Sequence, residues 1–309
     1  DNLFGVDIME EATEIARLRL FLALVASAQH EDELEPLPNI DFNILAGNSL
    51  VGLMRVDEHE FQSKQPDLFK APYRQLLAEK NRLIEKYRHT ADTFKAMDLK
   101  SLRDNIDVTK RVAGAVLNEL LRDDFERLDV KFEQATWDDK MGDEGKSKRR
   151  QVTTNDLEVQ HPFHWGYEFD EIVQNNGGFD AIVTNPPWEA FKPFAKEFFL
   201  EHSELVTKKK MRIEEFDKER KKLLKDSEIR SSRLEYRSRF SYMSEYFRAS
   251  PYYVNQTATV SGKRTGSDIN LYKLFTERCF NLLRPGGRCG LVIPAGIYMD
   301  LGTKGLRDL

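Results

Sequence analysis

Cysteine is almost absent. Cys279 and Cys289 are the two in 309 residues, too few for a disulfide framework and not arranged as Cys-x-x-Cys. The six histidines fall without ligand spacing, so no metal site is expected. Long apolar runs are lacking too: the longest, from Leu20 to Ala26, is seven residues, where a bilayer-spanning helix needs about twenty. That excludes a helical membrane protein. No basic-then-apolar leader follows Asp1, and with so little cysteine a reducing, cytoplasmic setting is expected. A chain that opens on Asp rather than Met, directly in an apolar run, reads as a piece of a longer polypeptide.

What is abundant is charge, at 32% of residues with a net of −5, and it is unevenly spread. Residues 1–60 carry thirteen acids against three bases, whereas residues 205–265 carry sixteen bases against eight acids. The second segment could hold a polyanion while the whole chain stays acidic, because phosphate attraction acts within a Debye length of roughly 8–10 Å. The plainer reading is a solvated helix of mixed charge.

Hydrophobic periodicity alternates between strand and helix. Leu3 to Ile8 reads as a short apolar strand followed by about twenty helical residues from Met9. Ile40, Phe42 and Ile44 alternate with Asp41 and Asn43 as a half-buried strand would, ending at Gly47-Asn48-Ser49. Between 70 and 130 two helical faces appear, Tyr73, Leu76, Leu77, Ile84 and Tyr87, then Val112, Val116, Leu117, Leu120, Leu121, Phe125 and Leu128. The charged stretch from Asp138 to Asp156 reads as a mobile loop. Strand character returns at Phe179 to Thr184. A helix from about Asn270 to Leu283, a Pro285-Gly286-Gly287 turn and a strand from Cys289 to Ile293 close the pattern. Apolar strands alternating with helices predict an α/β fold with a mainly parallel sheet covered on both faces.

Asn185-Pro186-Pro187-Trp188 is the most informative tetrapeptide, because it follows the C-terminal end of a strand, the edge where open parallel sheets bind ligands. Neither proline has an N–H and each locks its φ, so the loop has a fixed shape that presents carbonyls and the Asn185 amide. Such acceptors beside an aromatic ring suit an exocyclic amino group on a planar base. On the plainer reading Pro-Pro ends the strand and Trp188 fills core.

Four ordered blocks give this loop a context: Leu3-Phe4-Gly5-Val6-Asp7-Ile8; Gly47-Asn48-Ser49-Leu50; Gly178 to Trp188; and Asn270 to Phe275 running into Leu283 to Arg288 and Val292-Ile293-Pro294, with Phe163-His164-Trp165 ahead of the third. In this order they resemble the amino-directed DNA methyltransferases, specifically the gamma-type adenine-N6 enzymes of type II restriction-modification systems with fused or partnered nucleases. The resemblance covers nearly all the α/β parts and neither helical insertion.

The resemblance implies a Rossmann-like sheet that binds S-adenosylmethionine, two helical insertions, and a piece that lacks the first strand and its glycine loop. It divides the chain into residues 1–56 (core from the second strand), 57–156 (helical insertion and loop), 157–200 (core with the catalytic loop), 201–265 (basic helical insertion) and 266–309 (last part of the core). Asp7 would accept hydrogen bonds from the cofactor ribose, with Ile8 beside it. Asn48, where the family usually has Asp, would contact the cofactor adenine together with Ser49. Plainer roles are a helix cap for Asp7 and a turn residue for Asn48. Asn185 and the Pro186 carbonyl would take the amino hydrogens of a flipped adenine, with Pro187 fixing the loop and Trp188 stacking on the base. Lys208, Lys209, Lys210, Lys263 and Arg264 would contact phosphates of double-stranded DNA, and no metal is implied. The setting would be prokaryotic, with a restriction endonuclease domain or subunit as partner. The alternatives are an Asn-Pro-Pro-aromatic methyltransferase acting on RNA or a release-factor glutamine, and a catalytically inactive scaffold.

Overall fold

Gly5 and Val6, apolar and followed by Asp7, form strand β1 (Gly5–Asp7) as expected. It pairs in parallel with β2 (Ile44–Ala46), Gly5 opposite Ile44 and Asp7 opposite Ala46. These elements belong to a computed structural model that describes residues 2–27, 40–65, 71–91, 96–200, 202, 212–256, 259–260, 263–264 and 268–309. The chain divides into two compact units interleaved in sequence, residues 1–124 with 153–178, and 125–152 with 179–309.

In the first unit β1 leads into α1 (Glu10–Ser27), whose first turn carries Glu10 and Glu11, favourable at the positive end of the helix dipole. The strand expected over Ile40 to Ile44 is corrected: residues 41–43 form a turn and the strand begins at Ile44. The polar residues of that alternation are claimed from elsewhere in the chain. Asp41 accepts from the Tyr87 hydroxyl, and Asn43 accepts from Arg88 while donating to the Leu3 carbonyl. Phe42 packs on the cluster of Leu83, Tyr87, Leu102 and Ile106, contributed by α3 (Tyr73–Ala91) and α4 (Ala96–Arg127). A shorter helix, α2 (Glu58–Lys64), is capped by Asp57 accepting from the Glu60 N–H. After α4 the unit resumes with α5 (Thr154–Glu158), closed by a Thr153–Asp156 capping box, then α6 (Trp165–Glu168) and a π-turn (Glu171–Asn175).

A buried ionic network ties α3 and α4 to α6. Lys80, 1% exposed, donates to the Tyr167 carbonyl and lies 3.5 Å from Asp170, while Lys110 pairs with Glu168 at 2.7 Å. Burial lowers the Lys80 pKa against the pull of these carboxylates. Burial works to raise Glu168, but the charges of Lys110 and Lys80 and the Lys110 hydrogen bond leave it below its ordinary value.

In the second unit the expected mobile loop over Asp138 to Asp156 is corrected as well. β3 (Lys131–Gln134) pairs antiparallel with β6 (Lys148–Gln151), and β4 (Trp137–Asp138) with β5 (Asp143–Glu144). The charges that suggest a solvated loop are paired with distant residues: Arg149 with Glu133 and Glu245, Asp143 with Arg220, and Glu144 with Arg233 and Arg237. Behind β3 packs the 23-residue helix that includes Tyr242 and Tyr246, and Phe125 stacks on Tyr246 at 4.3 Å.

The strand β7 (Phe179–Thr184) forms where expected and pairs in parallel with β10 (Leu283–Leu291). Pro285-Gly286-Gly287 lies inside β10 rather than before it, at a register shift between Leu283 and Arg288. Pro285 has no N–H for the ladder, and Gly286 takes φ 80°. Helices α7 (Ala195–Leu200), α8 (Ile213–Leu223), α9 (Ser227–Ala249) and α10 (Leu271–Leu282) supply most of the rest, with short strands β8 (Thr259–Val260) and β9 (Lys263–Arg264) before α10. Buried Phe198, Phe199 and Leu224 form one core cluster.

The architecture is therefore mixed α/β, but no sheet among the described residues exceeds two strands, and each unit contains one parallel pair. The single covered sheet expected above is not present in that form. Val183 on β7 is 86% exposed, because an apolar run specifies a strand without specifying how many neighbours it pairs with. Among the described residues no helix is long and apolar enough to cross a membrane, and no group of three or more His, Cys, Asp or Glu is placed to hold a metal ion.

Candidate active site

In the first unit a cleft of about 580 Å³ opens at the C-terminal ends of β1 and β2. Ile8, Met9, Ala46 and Gly47 form its strand side, Gly114 and Asn118 come from α4, and Glu158, His161, Pro162 and His164 from the segment after α5 begins. The strand ends are locked together, since the Gly47 N–H donates to the Asp7 carbonyl at 2.7 Å. The Asp7 carboxylate accepts the Met9 N–H through Oδ1 at 2.8 Å, so one oxygen closes the turn that leads into α1, and among the described residues Oδ2 is left for another donor. Asn48 donates its N–H to the His161 carbonyl and accepts the Leu50 N–H on its side-chain oxygen at 3.1 Å. It is a turn residue in this structure, with a second lone pair on that oxygen. Ser49 contributes its carbonyl, which accepts the Trp165 indole N–H at 3.0 Å.

His164 lines this cleft, and its neighbour Phe163 packs against Gly47. Phe163 packs where glycine is needed: a Cβ on Gly47 would stand 2.8 Å from its ring, and one on Gly52, which takes φ 135°, would stand 2.2 Å from its carbonyl oxygen. His164 lies between the Leu53 N–H, 3.3 Å from Nδ1, and Asn118 Oδ1, 3.0 Å from Nε2. These partners assign the neutral Nε2–H tautomer, and burial pushes its pKa down to about 4 against a smaller upward pull from Glu168. Only the tripeptide Phe163-His164-Trp165 hinted at this, and it carries no periodicity that would reveal Asn118 as a partner.

In the second unit the tetrapeptide Asn185 to Trp188 leaves the end of β7, which is tied to β10 by the Val292 N–H donating to the Thr184 carbonyl. Pro186 is buried while Asn185 and Pro187 are exposed, so the first proline roots the loop and the Asn185 amide faces outward. Among the described residues that amide makes no hydrogen bond, which leaves its donors and acceptor available. Trp188 is 53% exposed and its indole N–H donates to the Val292 carbonyl at 3.1 Å. It does not fill core; it holds a ring at a fixed angle beside the loop. Downstream, Leu271 donates to the Glu189 carbonyl and Phe191 to that of Ile269, which pins the loop to the start of α10. That helix is anchored by buried Lys273, paired with Asp300 at 3.0 Å, and by Glu277, which accepts from Asn255 and Gln256.

Of the expected phosphate contacts, Lys208, Lys209 and Lys210 lie outside the described residues, and Lys263 and Arg264 form β9. Three arginines of the surrounding basic segment, Arg220, Arg233 and Arg237, turn onto Asp143 and Glu144.

The chain is 30% identical over 239 residues to a protein of Methanocaldococcus jannaschii whose name proposes a type II restriction enzyme and methyltransferase. The match takes in 64% of this chain and 19% of that relative, so the chain spans about a fifth of the relative's length. No solved structure matches. The family model of the Eco57I restriction-modification methylase matches residues 1–226, and with the strand-end cleft and the Asn185 to Trp188 loop lying within that span, the chain belongs to the Eco57I restriction-modification methylase family.

Proposed function

We propose that this chain is the catalytic core of an S-adenosylmethionine-dependent DNA adenine-N6 methyltransferase of a restriction-modification system. The observation that carries the reading is the Asn185-Pro186-Pro187-Trp188 loop, with an exposed Asn185 whose amide has no hydrogen-bond partner among the described residues and an indole held by Val292. Residues 1–56, 157–200 and 266–309 are assigned to the core, and 57–156 and 201–265 to insertions.

The cleft at Ile8 and Gly47 has the chemistry of a nucleoside site. It is apolar at Ile8, Met9 and Pro162; Asp7 and Asn48, next in sequence to the lining residues Ile8 and Gly47, each keep side-chain acceptor capacity among the described residues, for a ribose hydroxyl and an adenine amino group. When bound there, S-adenosylmethionine supplies an electrophilic methyl on a sulfonium. The protein's own part is positioning. Asn185 Oδ1 and the Pro186 carbonyl accept the two N6 hydrogens of the target adenine, which raises electron density on the nitrogen, and Trp188 stacks on the extruded base. An oriented nucleophile and preorganised acceptors supply most of the rate enhancement in such a site.

The test is methyl transfer by the full-length protein to duplex DNA, RNA and a release factor, with labelled cofactor and nucleoside analysis. N6-methyladenine in DNA is expected, and Asn185→Ala should lower the rate by 100-fold or more, roughly the loss of one transition-state acceptor. Label in RNA or glutamine alone, or an Asn185→Ala protein as active as the parent, would overturn the reading.

A further inference from the structure

In the basic segment of the second unit three arginines of α8 and α9 are turned onto carboxylates of the β4–β5 hairpin. Arg220 binds Asp143 at 2.8 Å, Arg233 binds Glu144 at 3.0 Å, Arg237 binds the other oxygen of Glu144, and Arg239 pairs with Glu235 at 2.5 Å. Burial works to raise Asp143, yet the Arg220 hydrogen bonds, the Glu144 N–H and the charges of Arg220 and Lys221 hold its carboxyl below the usual range. Arg220, Arg233 and Arg237 thus hold the β4–β5 hairpin to the helices, whereas Arg239 pairs within α9.

The lysines do something else. Lys218, Lys221, Lys222 and Lys225 recur at i, i+3, i+4 and i+7 along α8 and the turn after it, and all four are exposed. That spacing places them on one side of the helix. The other side is fixed, because Phe216, Leu223 and Leu224 pack with Phe198 and Phe199, so the row faces solvent. Lys222 is 3.8 Å from Glu219, whereas Lys218 and Lys225 form no ion pair among the described residues. The acids Glu214 and Glu215 lie in the first turn and Asp217 stands 3.8 Å from Arg220. Three of the four lysines lie at or just beyond the C-terminal end of α8, where the helix dipole favours cations without a carboxylate partner.

We propose that Lys218, Lys221, Lys222 and Lys225 form a sequence-independent binding surface for the phosphate backbone of duplex DNA. The choice of DNA rests on the methyltransferase reading above. Flexible, strongly hydrated ammonium groups on a rigid helix can follow a row of phosphates without demanding a base sequence.

The experiment measures binding of labelled duplex DNA to the full-length protein as salt rises from about 50 to 200 mM, where each phosphate contact adds about 0.9 to the slope of log affinity against log salt. Changing the four lysines to Gln together should reduce that slope by about two to four and weaken binding at least tenfold at the low-salt end, while methyl transfer at saturating DNA stays unchanged. Changing all four to Arg should keep the slope, which separates charge from fold. An unchanged slope in the Gln variant overturns the proposal, as does a loss confined to duplex RNA of the same sequence. Parent protein that binds DNA through these lysines but transfers no methyl would sink the methyltransferase reading and leave the surface standing. Methyl transfer with an unaltered slope in the Gln variant would do the reverse.

Discussion

The indole N–H of Trp188 donates to the carbonyl of Val292 across 104 residues of sequence, at 3.1 Å, while half of the Trp188 side chain remains open to solvent. This bond joins the end of the tetrapeptide loop to the segment that follows β10. The orientation of the ring is thus set by backbone of the second unit rather than by burial.

Replacing Trp188 separates stacking from orientation. Trp188→Ala should lower kcat/KM for methyl transfer by roughly 5- to 150-fold, the range expected from losing about 1–3 kcal/mol of base–aromatic stacking. Trp188→Phe keeps a ring and loses one hydrogen bond, about 1 kcal/mol, so its loss should be within about tenfold. Chemical denaturation should move little in either variant, because the side chain is half exposed. Equal activity in both variants would remove stacking from the account.

Asp7 gives a second, independent handle. Its Oδ1 is occupied by the Met9 N–H, a bond that Asn can also accept, so Asp7→Asn should leave the turn into α1 intact. Losing the charged acceptor for a ribose hydroxyl should weaken cofactor binding by roughly tenfold, about 1.4 kcal/mol, read by calorimetry on the full-length protein. An unchanged affinity with unchanged circular dichroism would place the ribose elsewhere.

His164 links stability to pH. Its folded pKa is held near 4 while the unfolded value is ordinary, near 6.5, so the unfolded chain binds more protons between those values. The stabilising effect of keeping it neutral is complete above about pH 6.5, is lost as pH falls, and levels off below about pH 4. Between pH 7 and 5 the loss should be roughly 2 kcal/mol. Glu168, whose pKa is lowered in the fold by Lys110 and Lys80 despite burial, adds a loss in the same direction as pH falls further. Urea midpoints at the two pH values should therefore converge in His164→Asn, and a variant as pH-sensitive as the parent would exclude the histidine as the source.

Several parts of this arrangement were legible in the residues. The strand at Phe179 to Thr184, the helix from Leu271 to Leu282 and the tetrapeptide between them follow from apolar runs, helical spacing and the two prolines. All of these are local signals. The hairpin over Asp143 and Glu144 was not legible, because its charges find partners 77, 89 and 93 residues away. Nor was the turn at 41–43, where Tyr87 and Arg88 take the polar side chains that mimic strand alternation.

By itself, then, the sequence determined the element types, the family's ordered blocks and the strand-end position of Asn185 to Trp188. The tertiary structure alone decided that Asn48 serves a turn, that His164 is held neutral between Leu53 and Asn118, and that Arg220, Arg233 and Arg237 turn onto the hairpin carboxylates while four lysines face out. The division has one physical cause. Periodicity and φ restriction act within a few residues, whereas hydrogen bonds and ion pairs between distant residues depend on which surfaces the folded backbone brings together.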